Sequence, residues 1–180
     1  RAYVDLTSQS QYDPELSKKL LSEAGFPDGF TTTLKLPPPA YARKGGEIIA
    51  SQLRDVGINV EISNLEWAQW LEEEFRGKDY GLTIVSHTEP FDIGIYARPE
   101  YYFQYDSKEF QKVIEDLTAE TNPVQRTSLM KNAQKIIADD YVNGYLFQRA
   151  QLSVVNSKVI GMWKNSPTQA TDLTAVYWDN

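Results

Sequence analysis

The side chains best suited to chemistry lie just after an apolar stretch, Tyr80–Val85. They are the single histidine of the chain, His87, and two carboxylates, Glu89 and Asp92. Two neighbouring carboxylates can act as a general acid and base, and one carboxylate can bind a ligand ammonium through a charge-assisted hydrogen bond. The structural alternatives are that Asp92 caps a turn, that Glu89 faces solvent beside Pro90, and that His87 is a hydrogen-bonded structural residue. The sequence leaves both interpretations open.

The same residues make a poor metal or deaminase site. The segment His87-Thr88-Glu89 matches half of a zinc deaminase signature, but that chemistry also needs two cysteines, and the chain has none. A second histidine to support a metal site is also missing. We therefore predict no metal, no cofactor and no enzymatic activity; a hydrolase that uses Glu89 and Asp92 is the alternative.

Two further pairs of residues are candidate ligand contacts. Tyr41 and Arg43 lie beside Gly45-Gly46 at a probable helix start, where a guanidinium and backbone N–H groups can bind an anion; an ordinary solvated loop explains them equally well. Trp67 and Trp70 are three residues apart on one helix. We expect one of them to pack on the sheet and the other to line a binding site.

The segment from Ser86 to Asp106 has no periodicity but is rich in aromatic residues. Long irregular segments of this kind often carry function. Tyr96 and Arg98 suit stacking and hydrogen bonding to a polar ligand, and covering the sheet edge is an equally good explanation. The predicted ligand-binding residues are Tyr41, Arg43, Trp67, His87, Glu89, Asp92, Tyr96 and Arg98.

Hydrophobic periodicity predicts the elements that position these residues. Helices are expected from Pro14, from Arg43 or Gly46, near Trp67, from about Ser107 and from Pro123; strands are expected at Phe30–Leu36, Ile58–Ser63, Tyr80–Val85, two or three times within Val142–Trp163, and at Asp172–Trp178. The apolar run Tyr80–Val85 predicts a central strand covered on both faces. Alternating strands and helices predict an α/β fold with a mixed sheet flanked by helices.

Composition excludes two classes of protein. With 18 Lys and Arg against 25 Asp and Glu, the net charge of −7 repels a phosphate backbone, so nucleic acid is not an expected partner. No apolar run approaches the roughly 20 residues that cross a bilayer. The chain has the composition of a globular domain.

Several blocks of sequence resemble family 5 of the extracellular solute-binding proteins, the peptide, oligopeptide and nickel receptors of ABC importers. The blocks are Tyr12-Asp13-Pro14-Glu15-Leu16 through Leu20–Phe30, Ile49–Gly57 with Ile58-Asn59-Val60, Glu66-Trp67 with Trp70-Leu71, Asp79-Tyr80, and Val159-Ile160-Gly161. The resemblance implies a periplasmic-binding-protein-like lobe. It also implies that an acidic residue after Tyr80–Val85 pairs with the ammonium of the ligand.

The implied protein is a periplasmic or extracellular receptor, associated with the membrane through its importer, whose two lobes close on a small solute. Residues 1–180 would be its C-terminal lobe, with residues 1–11 leading in and residues 165–180 returning to the N-terminal lobe. Its partners would be a peptide-like solute, the membrane permease and that N-terminal lobe. Relatives place an Arg that binds a carboxylate where this chain has Leu36 and prolines, so the recognition of a free carboxylate does not carry over. A lobe that binds another protein through its aromatic segment is a further alternative.

Overall fold

A computed structural model of the chain describes residues 2–87, 92–148, 150, 152–165 and 172–179. They form two compact units, the first running to His87 and continuing over Ile93–Asn143, the second containing Asp92 and the described residues from Gly144 onward. The helices are α1 (Pro14–Glu23), α2 (Ala40–Asp55), α3 (Trp67–Trp70), a π-helix (Leu71–Arg76), a 3-10 helix (Asp92–Ala97), α4 (Lys108–Ala119) and α5 (Pro123–Asp139). The strands are β1 (Phe30–Leu36), β2 (Ile58–Asn64), β3 (Leu82–Thr83), β4 (Val159–Ile160) and β5 (Tyr177–Trp178).

The first unit contains a parallel sheet with the strand order β2-β1-β3. Strands β1 and β2 pair along their whole length, from Phe30 opposite Ile58 to Leu36 opposite Asn64. Because all three strands run the same way, the loops that follow them leave from one edge of the sheet. Open α/β sheets bind ligands outside this edge.

Helix α2 covers one face of the sheet. Leu34 and Leu36 of β1 are buried there against Ala42 and Ala50 of α2. The helix begins at Ala40, earlier than predicted, because the carbonyl of Pro39 accepts hydrogen bonds from the amides of the first turn. The strand–helix–strand arrangement confirms the predicted α/β lobe.

Helices α4 and α5 pack on each other around a second core. Ser107 and Asn122 cap their first turns with side-chain oxygens, and the two helices begin where the sequence predicts. The buried residues are Phe110, Val113, Ala133, Ile136 and Ile137. Within the described ranges, no helix is both long enough and apolar enough to cross a bilayer.

The predicted position of the third strand is wrong. Strand β3 is only two residues long and lies at the edge of the sheet, where Leu82 is 39% exposed. The apolar character of Tyr80–Val85 arises instead from packing on both sides: Ile84 contacts the core under α2, while Tyr80 and Val85 join an aromatic cluster around Trp70. The run is therefore partly buried on both sides rather than fully covered, with Gly81 and Leu82 exposed.

The second unit contains less regular structure than predicted. Among the described residues of Val142–Trp163, only Val159–Ile160 forms a strand, and it pairs antiparallel with β5. Strand propensity alone is insufficient, because a strand also needs a neighbouring edge with which to exchange hydrogen bonds. The tail exposes apolar side chains, since Tyr177 and Trp178 are 59% and 53% exposed.

Candidate functional site

Four of the predicted ligand-binding residues follow the carboxyl ends of the three parallel strands, three of them in the first turns of α2 and α3 and one in a loop. Tyr41 and Arg43 follow β1, Trp67 follows β2, and His87 follows β3. We call these four residues and the loops that lead to them from the strand ends the carboxyl edge. The order of the elements thus accounts for their location, because parallel pairing directs each of these loops to the same side.

Tyr41 links the first loop of the carboxyl edge to the third. Its hydroxyl accepts a hydrogen bond of 2.9 Å from the backbone amide of Ser86. Tyr41 itself is half-buried against the core under α2. Sequence separation gives no hint of this contact, which depends on the pairing of β1 with β3.

Arg43 links the first loop to the second. Its guanidinium donates to the carbonyl of Leu65 at 3.1 Å and to the carboxylate of Glu66 at 3.2 Å. Its side chain is 37% exposed, so part of the group faces solvent at the carboxyl edge. Arg43 therefore holds the end of β2 in place. The carboxylate of Glu66 offsets part of the positive charge of Arg43.

The two tryptophans differ in burial, and the role of Trp67 in a binding site stays a prediction. Trp70 is 3% exposed, whereas Trp67 is 42% exposed. Their rings meet edge to face with centroids 5.7 Å apart. Trp67 thus presents aromatic surface to solvent while resting on a buried partner.

His87 contacts the aromatic cluster formed by Trp70, Tyr80, Tyr101, Tyr102 and Phe103. Its Nε2 is 2.8 Å from the hydroxyl of Tyr102, and its ring is stacked on that of Tyr102 with an interplanar angle of 14°. Burial raises the pKa of Tyr102, which keeps its hydroxyl protonated. His87 is therefore hydrogen-bonded, as its structural interpretation predicts, and yet is exposed at the carboxyl edge.

The remaining four predicted residues do not directly follow the strands of the sheet. Tyr96 packs on Phe110 in the core between α4 and α5 and accepts a 2.6 Å hydrogen bond from Asn143. Arg98 is exposed beyond the 3-10 helix, and Asp92 is half-buried as the first residue of that helix. Glu89 falls within residues 88–91, outside the described residues.

The sequence does not predict a charged cluster that surrounds Lys35. Lys35 of β1 lies 3.2 Å from Glu73, 3.2 Å from Glu74 and 3.3 Å from Asp79. Glu74 is completely buried. The only signal in the sequence is the acidic run that follows Leu71, and nothing in it identifies Lys35 as the partner.

A depression on α5 lies apart from the carboxyl edge in the sequence. This shallow depression of about 350 Å³ is lined by Ser128, Leu129, Lys131, Asn132 and Lys135, and contains none of the predicted residues. The described residues also contain no group of three or more His, Cys, Asp or Glu side chains placed to hold a metal ion.

Comparisons with known proteins agree on one family. Residues 2–114 match the family described as bacterial extracellular solute-binding proteins, family 5 middle. The chain is 26% identical over 156 residues to heme-binding protein A of Haemophilus influenzae, covering 76% of this chain and 27% of that protein. It is 27% identical over 152 residues to the dipeptide-binding protein of Escherichia coli, covering 76% and 28%.

The fold also matches solved structures. The ABC transporter-associated periplasmic binding protein DppA from Helicobacter pylori, in complex with peptide STSA, superposes with a TM-score of 0.71 at 23% identity. That match covers 94% of this chain and 35% of the other. The chain therefore spans about a quarter to a third of the length of the proteins it matches.

Proposed function

This chain belongs to family 5 of the bacterial extracellular solute-binding proteins, and on that premise we propose that it is part of the solute-binding component of an ABC-type importer. The observation that carries the proposal is the family match over residues 2–114, which includes α1 to β3 and every loop of the carboxyl edge. The function is capture of a solute without covalent chemistry. The matched relatives are named as binding proteins, which supports this choice over a hydrolase.

The solute is a small polar molecule of the peptide type. The names of a dipeptide-binding relative and of a structural neighbour in complex with a peptide support this class. Trp67 offers a face for stacking, and Arg43 and His87 offer polar groups beside it. Glu89 and Asp92 are proposed to pair with the ammonium of the ligand, and Tyr96 and Arg98 to stack on the ligand or hydrogen-bond to it.

The other partners are an N-terminal lobe of the same protein and the membrane permease of the importer. Residues 1–180 form the C-terminal lobe, and the two lobes close on the solute before docking on the permease. The receptor works in the periplasm or outside the cell and meets the membrane through its importer. The periplasmic location of the neighbour from H. pylori supports this placement.

Thermal unfolding of the full-length protein with the tetrapeptide Ser-Thr-Ser-Ala tests the proposal. Ligand at about 100 times its Kd should add about 2.7 kcal/mol of stability, and mass spectrometry should recover the peptide intact. Replacing Trp67 with Ala should reduce the shift, whereas replacing Trp178, on the second unit, should not. A protein that is not stabilised by this peptide, and that carries no peptide-like solute when purified from its source, would exclude the proposed solute class.

A further inference from the structure

Lys35 is linked to the helix that begins at Trp67 in two ways, directly through its side chain and through Thr83. Its ammonium lies 3.2 Å from Oε1 of Glu74. Its carbonyl accepts a 2.8 Å hydrogen bond from the hydroxyl of Thr83, which in turn accepts a 3.0 Å hydrogen bond from the indole of Trp70. Trp70 and Glu74 are four residues apart, so one residue of β1 holds two successive turns.

The ion pair in this arrangement is buried. The side chain of Glu74 is 0% exposed and that of Lys35 is 15% exposed. A buried ion pair is weak evidence for stability, because apolar residues of similar volume often serve as well, whereas loss of one partner is costly. Glu73 and Asp79 also face the ammonium, so the charge of Lys35 has several partners and a defined position. Such a pair is suited to fixing where a helix lies.

The rings of Trp70 and Trp67 connect Lys35 and Thr83 with the carboxyl edge. Trp70 lies between Thr83 on one side and the ring of Trp67 on the other, the latter at 5.7 Å and 84°. The helix changes from α to π geometry immediately after Trp70, and π-turns often occur at functional sites. A shift of this helix on the sheet would move Trp67 with it.

We propose that Lys35 and Glu74 form a positioning pair that, together with Thr83, fixes the helix on β1 and so sets the place of Trp67 at the carboxyl edge. Neither charged group touches the ligand. The inference rests on the proposed function for the role of Trp67 in binding. The position of Trp67 itself can be measured without a ligand.

Fluorine NMR of the full-length protein labelled with 5-fluorotryptophan measures that position. Trp67→Phe and Trp70→Phe assign the two resonances. In Lys35→Met both resonances should shift or broaden at a temperature where circular dichroism shows the protein folded. Lys112→Met removes the same charge from an exposed ion pair on α4 and should leave both resonances unchanged.

Two milder variants cover the case in which Lys35→Met does not fold. Glu74→Gln keeps the shape of the side chain and removes its charge, and Thr83→Val removes the hydroxyl that holds Trp70. Each should move the Trp67 resonance. A lowered melting temperature with both tryptophan resonances in their wild-type positions would overturn the inference and leave the pair a structural one.

Affinity for Ser-Thr-Ser-Ala separates this inference from the proposed function. If both hold, Lys35→Met weakens binding about tenfold, or about 1.4 kcal/mol, and Lys112→Met does not. If the wild-type protein fails to bind peptide while the resonances move as expected, the positioning pair stands and the proposed solute class fails. Peptide binding that is unaffected by Lys35→Met, with unmoved resonances, contradicts the positioning role alone.

Discussion

Glu73 and Glu74 are adjacent residues whose pKa values the fold shifts in opposite directions. Burial disfavours the charged carboxylate and raises the pKa of Glu74 above its ordinary value of 4.5, although the nearby ammonium of Lys35 acts in the opposite direction. A hydrogen bond from Gln69, followed by one from Lys35, lowers the pKa of Glu73. The two carboxylates should therefore influence stability with opposite dependence on pH.

The sign for each residue follows from proton linkage. The folded protein holds the proton of Glu74 more tightly than the unfolded chain does, so this residue costs stability as pH rises above 4.5. Glu73 contributes stability that is present above its unfolded pKa and lost as pH falls towards its lowered folded pKa.

Urea unfolding of the variants Glu74→Gln and Glu73→Gln between about pH 3 and about pH 8 should separate these two effects. The stability of the wild type relative to Glu74→Gln should fall as pH rises. Its stability relative to Glu73→Gln should increase over the same change. Parallel slopes for the two variants would show that Glu74 is not buried as described.

The sequence indicates single candidate residues more readily than pairs of them. Tyr41, Trp67 and His87 each follow a strand, and the carboxyl ends of parallel strands meet at one edge, but their part in ligand binding stays a prediction. The pair of Lys35 and Glu74 was missed because it joins residues 39 positions apart through the packing of a helix on β1. No periodic pattern in the sequence encodes that packing.

At the scale of elements, the register of the sheet depends on two glycines. Gly29 and Gly57 immediately precede β1 and β2, and both have positive φ, at 73° and 100°. A Cβ on Gly29 would lie 1.8 Å from the carbonyl oxygen of Gly57. This close approach lets Phe30 and Ile58 begin their strands side by side.

Gly29→Ala should lower the free energy of unfolding by about 2–4 kcal/mol, because strain at positive φ adds to a clash with backbone. Gly25→Ala is the matched control, since Gly25 also has positive φ but has open space around its Cα. That control should cost only about 1 kcal/mol. Equal losses in chemical denaturation would show that the contact between the two glycines has no role.

Local signals explain which elements were predicted correctly. Helix α1 follows Asp13-Pro14, whose cap and proline are read directly from the sequence, and β1 has the predicted bounds. Strand β3 was misplaced, and most of Val142–Trp163 was wrongly predicted as strands, because strand order and pairing depend on neighbours distant in sequence.

At the scale of the whole molecule, apolar side chains remain uncovered in both units. Leu16 and Leu20 of α1 are 47% and 53% exposed, and Tyr177 and Trp178 of β5 are also exposed. Exposed apolar surface of this kind often marks an interface. The proposed N-terminal lobe would cover part of it, which fits the small share of its relatives' length that this chain spans.

Hydrogen exchange of the full-length protein with and without Ser-Thr-Ser-Ala shows most directly whether the carboxyl edge holds the solute. We expect added protection in its three loops and in the helix starts that follow two of them, at residues 37–43, 64–67 and 84–87. The outer surface of α5, around Lys131 and Lys135, should exchange at an unchanged rate. Protection confined to α4 and α5, or none in the three loops when peptide is bound, would contradict the claim that this edge holds the solute.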